Sequence, residues 1–211
     1  MFTGLLIALL ALVTILGGRA MWQRRQSALS GGSERLALPG AGGDGGDQLL
    51  SRTIRDLRPR DIVTWDGRDF VVEGVASYEE EGHRWLAGRV NDGTDEHWLV
   101  VGLERGGGLT ARMLKLAPEI EMEGMPPEIL VTDNDTRYRL DKRGTATVQV
   151  RGQTGLNLRT DVATGTAERC RWWVYDAPGD GSVIVEQWGG EYRVLRGKEV
   201  RPESLDLMPG S

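Results

Sequence analysis

Apolar and polar positions along this chain fall into three regimes. Residues 2–18 (FTGLLIALLALVTILGG) are uncharged and dominated by Leu, Ile, Val and Ala. As a helix such a run is roughly 26 Å long, at the short end of a bilayer span. Met21 and Trp22 extend the apolar reach past Arg19, whose stem can snorkel to the headgroups, and Trp22 falls where an interfacial aromatic belongs. Residues 26–48 are Gly-rich and nearly devoid of large apolar side chains, so they cannot bury enough surface to offset chain entropy. From Leu49 onward the apolar runs are short, β-branched and punctuated by turns.

That third regime predicts strands. Ile62-Val63-Thr64-Trp65 ends at Asp66-Gly67 and is followed by Phe70-Val71-Val72, a strong hairpin signal. Residues 83–90 alternate into Asn91-Asp92-Gly93, and Trp98-Leu99-Val100-Val101 leads to Gly106-Gly107-Gly108. Only residues 51–57 hint at a helical turn, and no helix-length window carries an apolar stripe of helical period. Pro118 to Pro127 marks a seam, after which the order of features repeats. Ile129-Leu130-Val131-Thr132-Asp133 echoes Ile62-Val63-Thr64-Trp65-Asp66, Arg84-Trp85 recurs as Arg171-Trp172, and the WLVV run recurs loosely as Val183-Ile184-Val185. The expected fold is therefore mainly β, in four parts. These are a transmembrane anchor over residues 1–22, a disordered linker over 23–50, and two related small β-sheet units over 51–117 and 127–208. The two units could stand as separate curled sheets or pair into one sandwich or barrel.

Charge narrows the partners. The chain carries 26 Lys+Arg against 31 Asp+Glu, and every acid lies beyond residue 30, after Arg19, Arg24 and Arg25. An acidic body without a basic block argues against nucleic-acid binding, which needs positive charge to displace phosphate counterions. Basic residues following the apolar run, with none preceding it, favour an uncleaved single-pass anchor over a signal peptide. The expectation is an inner-membrane protein with its N-terminus outside and its β-body in the cytoplasm. Its partners would be the bilayer, through the N-terminal helix, and a membrane protein.

Catalytic chemistry is scarce. A single cysteine, Cys170, excludes a disulfide framework, and two histidines, His83 and His97, leave little for a metal centre. Asp92, Asp95 and His97 lie close in sequence, but Asn-Asp-Gly is turn chemistry. Gly106-Gly107-Gly108 lacks the Lys-Ser/Thr of a phosphate loop. No catalytic residue, cofactor or metal ligand is expected, and the chain is expected not to be an enzyme. The candidate contacts are instead the Arg-Trp pairs, Arg84 with Trp85 and Arg171 with Trp172, and the acidic tip Glu79, Glu80 and Glu81. Adjacent strand residues face opposite ways, so each Trp can enter a core while its Arg stays outside. The acidic tip would suit a basic partner or a polyamine.

Leu57-Arg58-Pro59-Arg60-Asp61-Ile62-Val63, then Phe70-Val71-Val72-Glu73-Gly74-Val75 and Arg84-Trp85, resembles the bacterial family catalogued as domain of unknown function 4178. Tyr138-Arg139-Leu140, Gly144-Thr145-Ala146, the Trp172-Trp173-Val174-Tyr175 run and Pro202-Glu203-Ser204-Leu205 extend the resemblance over about residues 50–208. Arg60 stands where the family often has Gly. The resemblance implies a setting rather than a reaction: members tend to be encoded near small membrane proteins, channel-like proteins and polyamine-synthesis-like enzymes. The expected function is a non-catalytic interaction or accessory module for a membrane-associated system. The alternative is a sensor or carrier of a small cationic ligand such as a polyamine.

Overall fold

The computed structural model describes residues 52–106, 108–132, 135–156 and 168–210. Eleven strands follow one another in chain order. The first five are β1 (Ile62–Trp65), β2 (Arg68–Glu80), β3 (His83–Asn91), β4 (Glu96–Val101) and β5 (Ala111–Leu116). After residues 117–128 come β6 (Ile129–Val131), β7 (Arg137–Gly152), β8 (Glu168–Asp176), β9 (Gly181–Trp188), β10 (Glu191–Val200) and β11 (Asp206–Met208). Local chemistry explains the turns. Asp66 and Gly67 both take positive φ (51° and 72°), as do Glu81 and Gly82 (50° and 82°). Two such residues make the tight hairpin whose twist matches its strands.

The strands form one antiparallel sheet in the order β11-β1-β2-β3-β4-β5-β10-β9-β8-β7-β6, and β2 also pairs with β7. The eight strands from β2 to β7 in that order thus close into a barrel. This corrects the expectation of two β-sheet units. Each half does form a five-stranded meander, β1–β5 and β6–β10, and the Arg-Trp pairs occupy matching third strands. Yet neither meander stands alone, because each would leave two open edges. β2 and β7 are long enough to outrun β1 and β6, and residues 74–79 pair with residues 147–152. β5 pairs with β10 at the other join, from Ala111↔Val200 to Leu116↔Leu195. The expected transmembrane helix and linker lie outside the described residues. Among the described residues no helix is long and apolar enough to cross a membrane.

Alternation sorts side chains to the two faces of the wall. Ala76, Tyr78, Trp85, Ala87, Trp98, Val100, Leu114, Ala146, Val148, Cys170, Trp172, Val174, Ile184 and Leu195 fill the interior. Their neighbours in sequence pack outside. Val75, Leu99, Val101 and Met113 are covered by β1 and by the short turns carrying Ile54, Leu57 and Leu205. Trp173, Tyr175, Val183 and Val185 are covered by Leu130 of β6 and by Ala117, with Ile120 and Met122 packed against them. The barrel is a packed core rather than a channel.

Candidate functional site

The outer face of the β2–β7 join carries the best-formed concavity, a groove of about 530 Å3. Its rows follow from register. Arg84 of β3, Glu79 of β2 and Thr147 of β7 lie side by side, and Leu86, Ser77 and Gln149 form the next row. Arg151 faces Val75 beyond them. Arg55 and Asp56 close one wall from the turn Ile54–Asp56. That turn is firmly held: Thr53 Oγ1 accepts the N–H of Arg55, while Arg52 donates to both carboxylate oxygens of Asp61 at 3.0 and 2.5 Å and to the Asp56 carbonyl at 2.7 Å.

Arg84 donates through Nε and Nη2 to Glu79 Oε2, at 3.0 and 2.8 Å, so this pair is mutually neutralised. Ser77, Thr147, Gln149 and the guanidinium groups of Arg55 and Arg151 carry no such partner among the described residues. The groove lining therefore holds three arginines against two carboxylates, an excess of one positive charge on a chain of net charge -5.

A second, smaller recess of about 360 Å3 opens at the barrel end below the β2–β3 turn. Arg105 donates to Glu81 at 2.9 Å and to Glu80 at 3.1 Å. Glu80 also accepts the Thr145 N–H at 2.6 Å. Trp172 closes the floor, edge-on to Trp85 at 5.4 Å between ring centroids.

The sequence-derived candidates thus divide. Glu79 and Arg84 share the groove, and Glu80 and Glu81 share the end recess with one face of Trp172. Trp85 and Trp172 are 4% and 6% exposed, so both serve as interior anchors. Trp85 stacks on Tyr78 at 5.2 Å. Arg171 joins neither site: it lies over the Trp173 ring at 5.1 Å and bonds to Gln187 at 3.3 Å. Arg55, Arg105, Thr147, Gln149 and Arg151 were not foreseen. For Thr147, Gln149 and Arg151 a signal lies in Thr145-Ala146-Thr147-Val148-Gln149-Val150-Arg151, strict period-two alternation that places the three on one face; Arg55 and Arg105 carry none.

Inside the barrel Glu186 and Arg193 form a largely buried ion pair, their side chains 5% and 11% exposed. Glu186 accepts from Tyr78 Oη at 2.8 Å, Trp188 Nε1 at 3.1 Å and Arg193 Nε at 2.9 Å. Arg193 lies over the Trp98 ring at 4.0 Å. Burial pushes the Tyr78 phenol well up, and the Glu186 charge adds to it. Cys170 is likewise interior, and burial drives its thiol far above the ordinary range. His97 packs against Phe70 and Trp65 at 5.3 and 6.0 Å. Asp92 caps its own turn by accepting the N–H groups of Thr94 and Asp95, at 2.9 and 2.8 Å. Among the described residues no cluster of three His, Cys, Asp or Glu side chains is arranged to hold a metal ion.

Together these features define an antiparallel β-barrel with a filled interior and an arginine-bearing groove on its wall. Residues 58–202 match the family model described as Domain of unknown function (DUF4178), and the chain belongs to that family. No curated protein and no solved structure matches the chain. The matched range begins just after Arg55 and Asp56, so one wall of the groove lies outside it.

Proposed function

We propose that the barrel is a non-catalytic interaction module serving a membrane-associated system, with the outer groove as its contact surface. The observation that carries this reading is the contrast between the two faces of the wall. The interior is occupied by aromatic rings and the largely buried Glu186–Arg193 pair, whereas the groove leaves hydrogen-bonding side chains without partners on an eight-stranded frame. The chemically distinctive groups inside are committed to packing: Cys170 is buried as a thiol, and Tyr78 is bonded to Glu186. The uncharged run at residues 2–18, outside the described residues, supports attachment to a bilayer, and the Gly-rich stretch after it supports a leash.

The cationic-ligand alternative gains no comparable support. Glu79 is paired with Arg84, and Glu80 and Glu81 are paired with Arg105. Trp85 and Trp172 belong to the interior cluster and are only 4% and 6% exposed, which leaves little ring surface for a cation. The test places a photo-crosslinking side chain at Gln149, in the groove, and at exposed Arg137 as a control, in the full chain in native membranes. A discrete adduct from Gln149 and none from Arg137 supports the module. Absence of any adduct from Gln149, with the barrel intact, overturns it.

A further inference from the structure

We propose that the groove at the β2–β7 join is an oxyanion site, and that the group it takes is a phosphate. This deepens the reading of the groove as the contact surface and rests on it.

Across the described surface, arginines are commonly spent on carboxylates: Arg68 on Asp92 and Asp95, Arg84 on Glu79, Arg89 on Glu96, Arg105 on Glu80 and Glu81, Arg196 on Glu119. Arg55 and Arg151 line one groove and have no carboxylate partner among the described residues. Between them the floor offers Ser77, Thr147 and Gln149, whose side chains are donors without partners as well. A guanidinium presents a planar fork of N–H groups that matches two oxygens of a phosphate, and hydroxyl and amide donors complete such a shell. The one ion pair in the lining, Arg84 with Glu79, is already neutral, and with Asp56 set against Arg55 and Arg151 the excess is one positive charge.

The backbone that carries the donors is also held in place. Arg151 sits in the β2–β7 ladder opposite Val75, next to Gly152, whose φ of +72° sets the exit of the strand. Arg55 stands on a turn pinned below by Ile54 and Leu57 in the outer apolar cluster and by the Arg52–Asp61 pair. Two unpaired guanidinium groups carried on separate elements line one concavity, and like charges gathered there favour an anion over an empty groove. An anion gains from both charges, which a neutral ligand does not. A phosphate can arrive free in solution or on a lipid headgroup, and the groove chemistry is the same for both.

The test uses the full chain. In a non-ionic detergent, inorganic phosphate is titrated by calorimetry against chloride of equal ionic strength, in wild type, R55Q, R151Q and R137Q. In a second arm, the Arg Nε–H signals are followed by NMR in nanodiscs of phosphatidylcholine with and without phosphatidic acid. Saturable phosphate binding that falls about tenfold or more in R55Q and in R151Q, and is unchanged in R137Q, establishes the site with a soluble ligand. No heat with free phosphate, but an Arg151 shift only where phosphatidic acid is present and abolished by R55Q, establishes it with a lipid ligand. Silence in both arms, or binding indifferent to both substitutions, overturns the proposal. The Gln149 cross-link is independent of that result, so a lost anion site and a lost interaction module are told apart. Arg55 and Arg151 are exposed, and unchanged melting curves of the two variants will show that the barrel is intact.

Discussion

Gly74 and Gly152 face each other across the β2–β7 ladder at the point where β2 leaves β1 and takes up β7 as its neighbour. A bulge between Val72 and Gly74 turns the strand there, and the Glu73 carbonyl accepts the Gln153 N–H at 2.9 Å. A Cβ on Gly74 would stand 2.5 Å from the Gln153 carbonyl carbon and 2.7 Å from the Thr154 nitrogen. Both are backbone atoms and cannot rotate away. Barrel closure therefore depends on a close approach of two chains that only glycine permits.

Gly74→Ala should accordingly cost about 2–3 kcal/mol, the range for forcing atoms into a filled space. Gly190→Ala, where nothing lies within 4 Å, should stay within about 0.5 kcal/mol of wild type. Thermal melts of the two variants decide the matter. Equal melting temperatures would mean that the join yields freely.

Arg193 is the sole cation bonded to Glu186 inside the barrel among the described residues. Arg193→Met removes the charge and leaves the carboxylate enclosed, which should cost about 3–5 kcal/mol. Adding Glu186→Gln should return part of that loss, because the double variant buries no lone charge. Urea denaturation of the single and double variants measures the difference. A double variant no more stable than R193M would show that packing of Arg193 over Trp98, not charge pairing, dominates.

Arg60 has φ of +78°, the left-handed region. Its backbone is pinned: its N–H donates to the Val72 carbonyl at 2.7 Å, and Gly210 packs against its carbonyl. The left-handed conformation costs a non-glycine residue about 1–2 kcal/mol. Glycine avoids this but gives back about 0.5–1 kcal/mol in chain entropy. On the backbone alone Arg60→Gly should therefore raise stability by up to about 1 kcal/mol, and the loss of the Arg60 side chain's own interaction opposes that gain. A clear loss on melting would show that contacts of the Arg60 side chain outweigh the strain.

Much of the wall was legible in the sequence. Asp66-Gly67 and Glu81-Gly82 announced their hairpins, and Arg-Trp adjacency in a strand told which side chain turns inward. Closure was not legible, because nothing local to residues 74–79 specifies residues 147–152 as neighbours. The site followed the same division. Glu79 to Glu81 stood out as an acidic run, but their partner Arg105 comes from the loop after β4, and pairing removes the charge that drew attention. Arg55 and Arg151 are unremarkable in sequence and meet only because the barrel closes.

Cys170 has no exposed surface and lies among the interior rings, and burial holds its thiol protonated. A thiol reagent at mildly alkaline pH should leave the folded chain unmodified and react fully once denaturant is added, since only the exposed thiolate attacks. Rapid labelling of the native chain would reveal openings of β8 that admit solvent, and would return Cys170 to consideration as a nucleophile.

Glu104 folds over one end of the barrel and meets Arg112, whose side chain is 2% exposed. Arg112 donates to its two oxygens at 3.1 and 2.7 Å, and Thr110 donates as well. Burial alone would raise the Glu104 carboxyl, but these bonds outweigh it and hold the group at about 2, against an ordinary 4.5. The folded value lies below the unfolded one, so the unfolded chain takes up the proton first as pH falls. The stabilisation is complete above 4.5 and drains away as pH falls toward 2. Glu104→Gln removes the charge at every pH and leaves Arg112 only the more distant carboxylates of Asp176 and Glu199, each at 3.8 Å. The gap in melting temperature between wild type and E104Q should therefore be widest near neutrality, on the order of 2 kcal/mol in stability, and close through that acid window. A gap that persists unchanged into strong acid would mean that Glu104 acts by shape and hydrogen bonding rather than by charge.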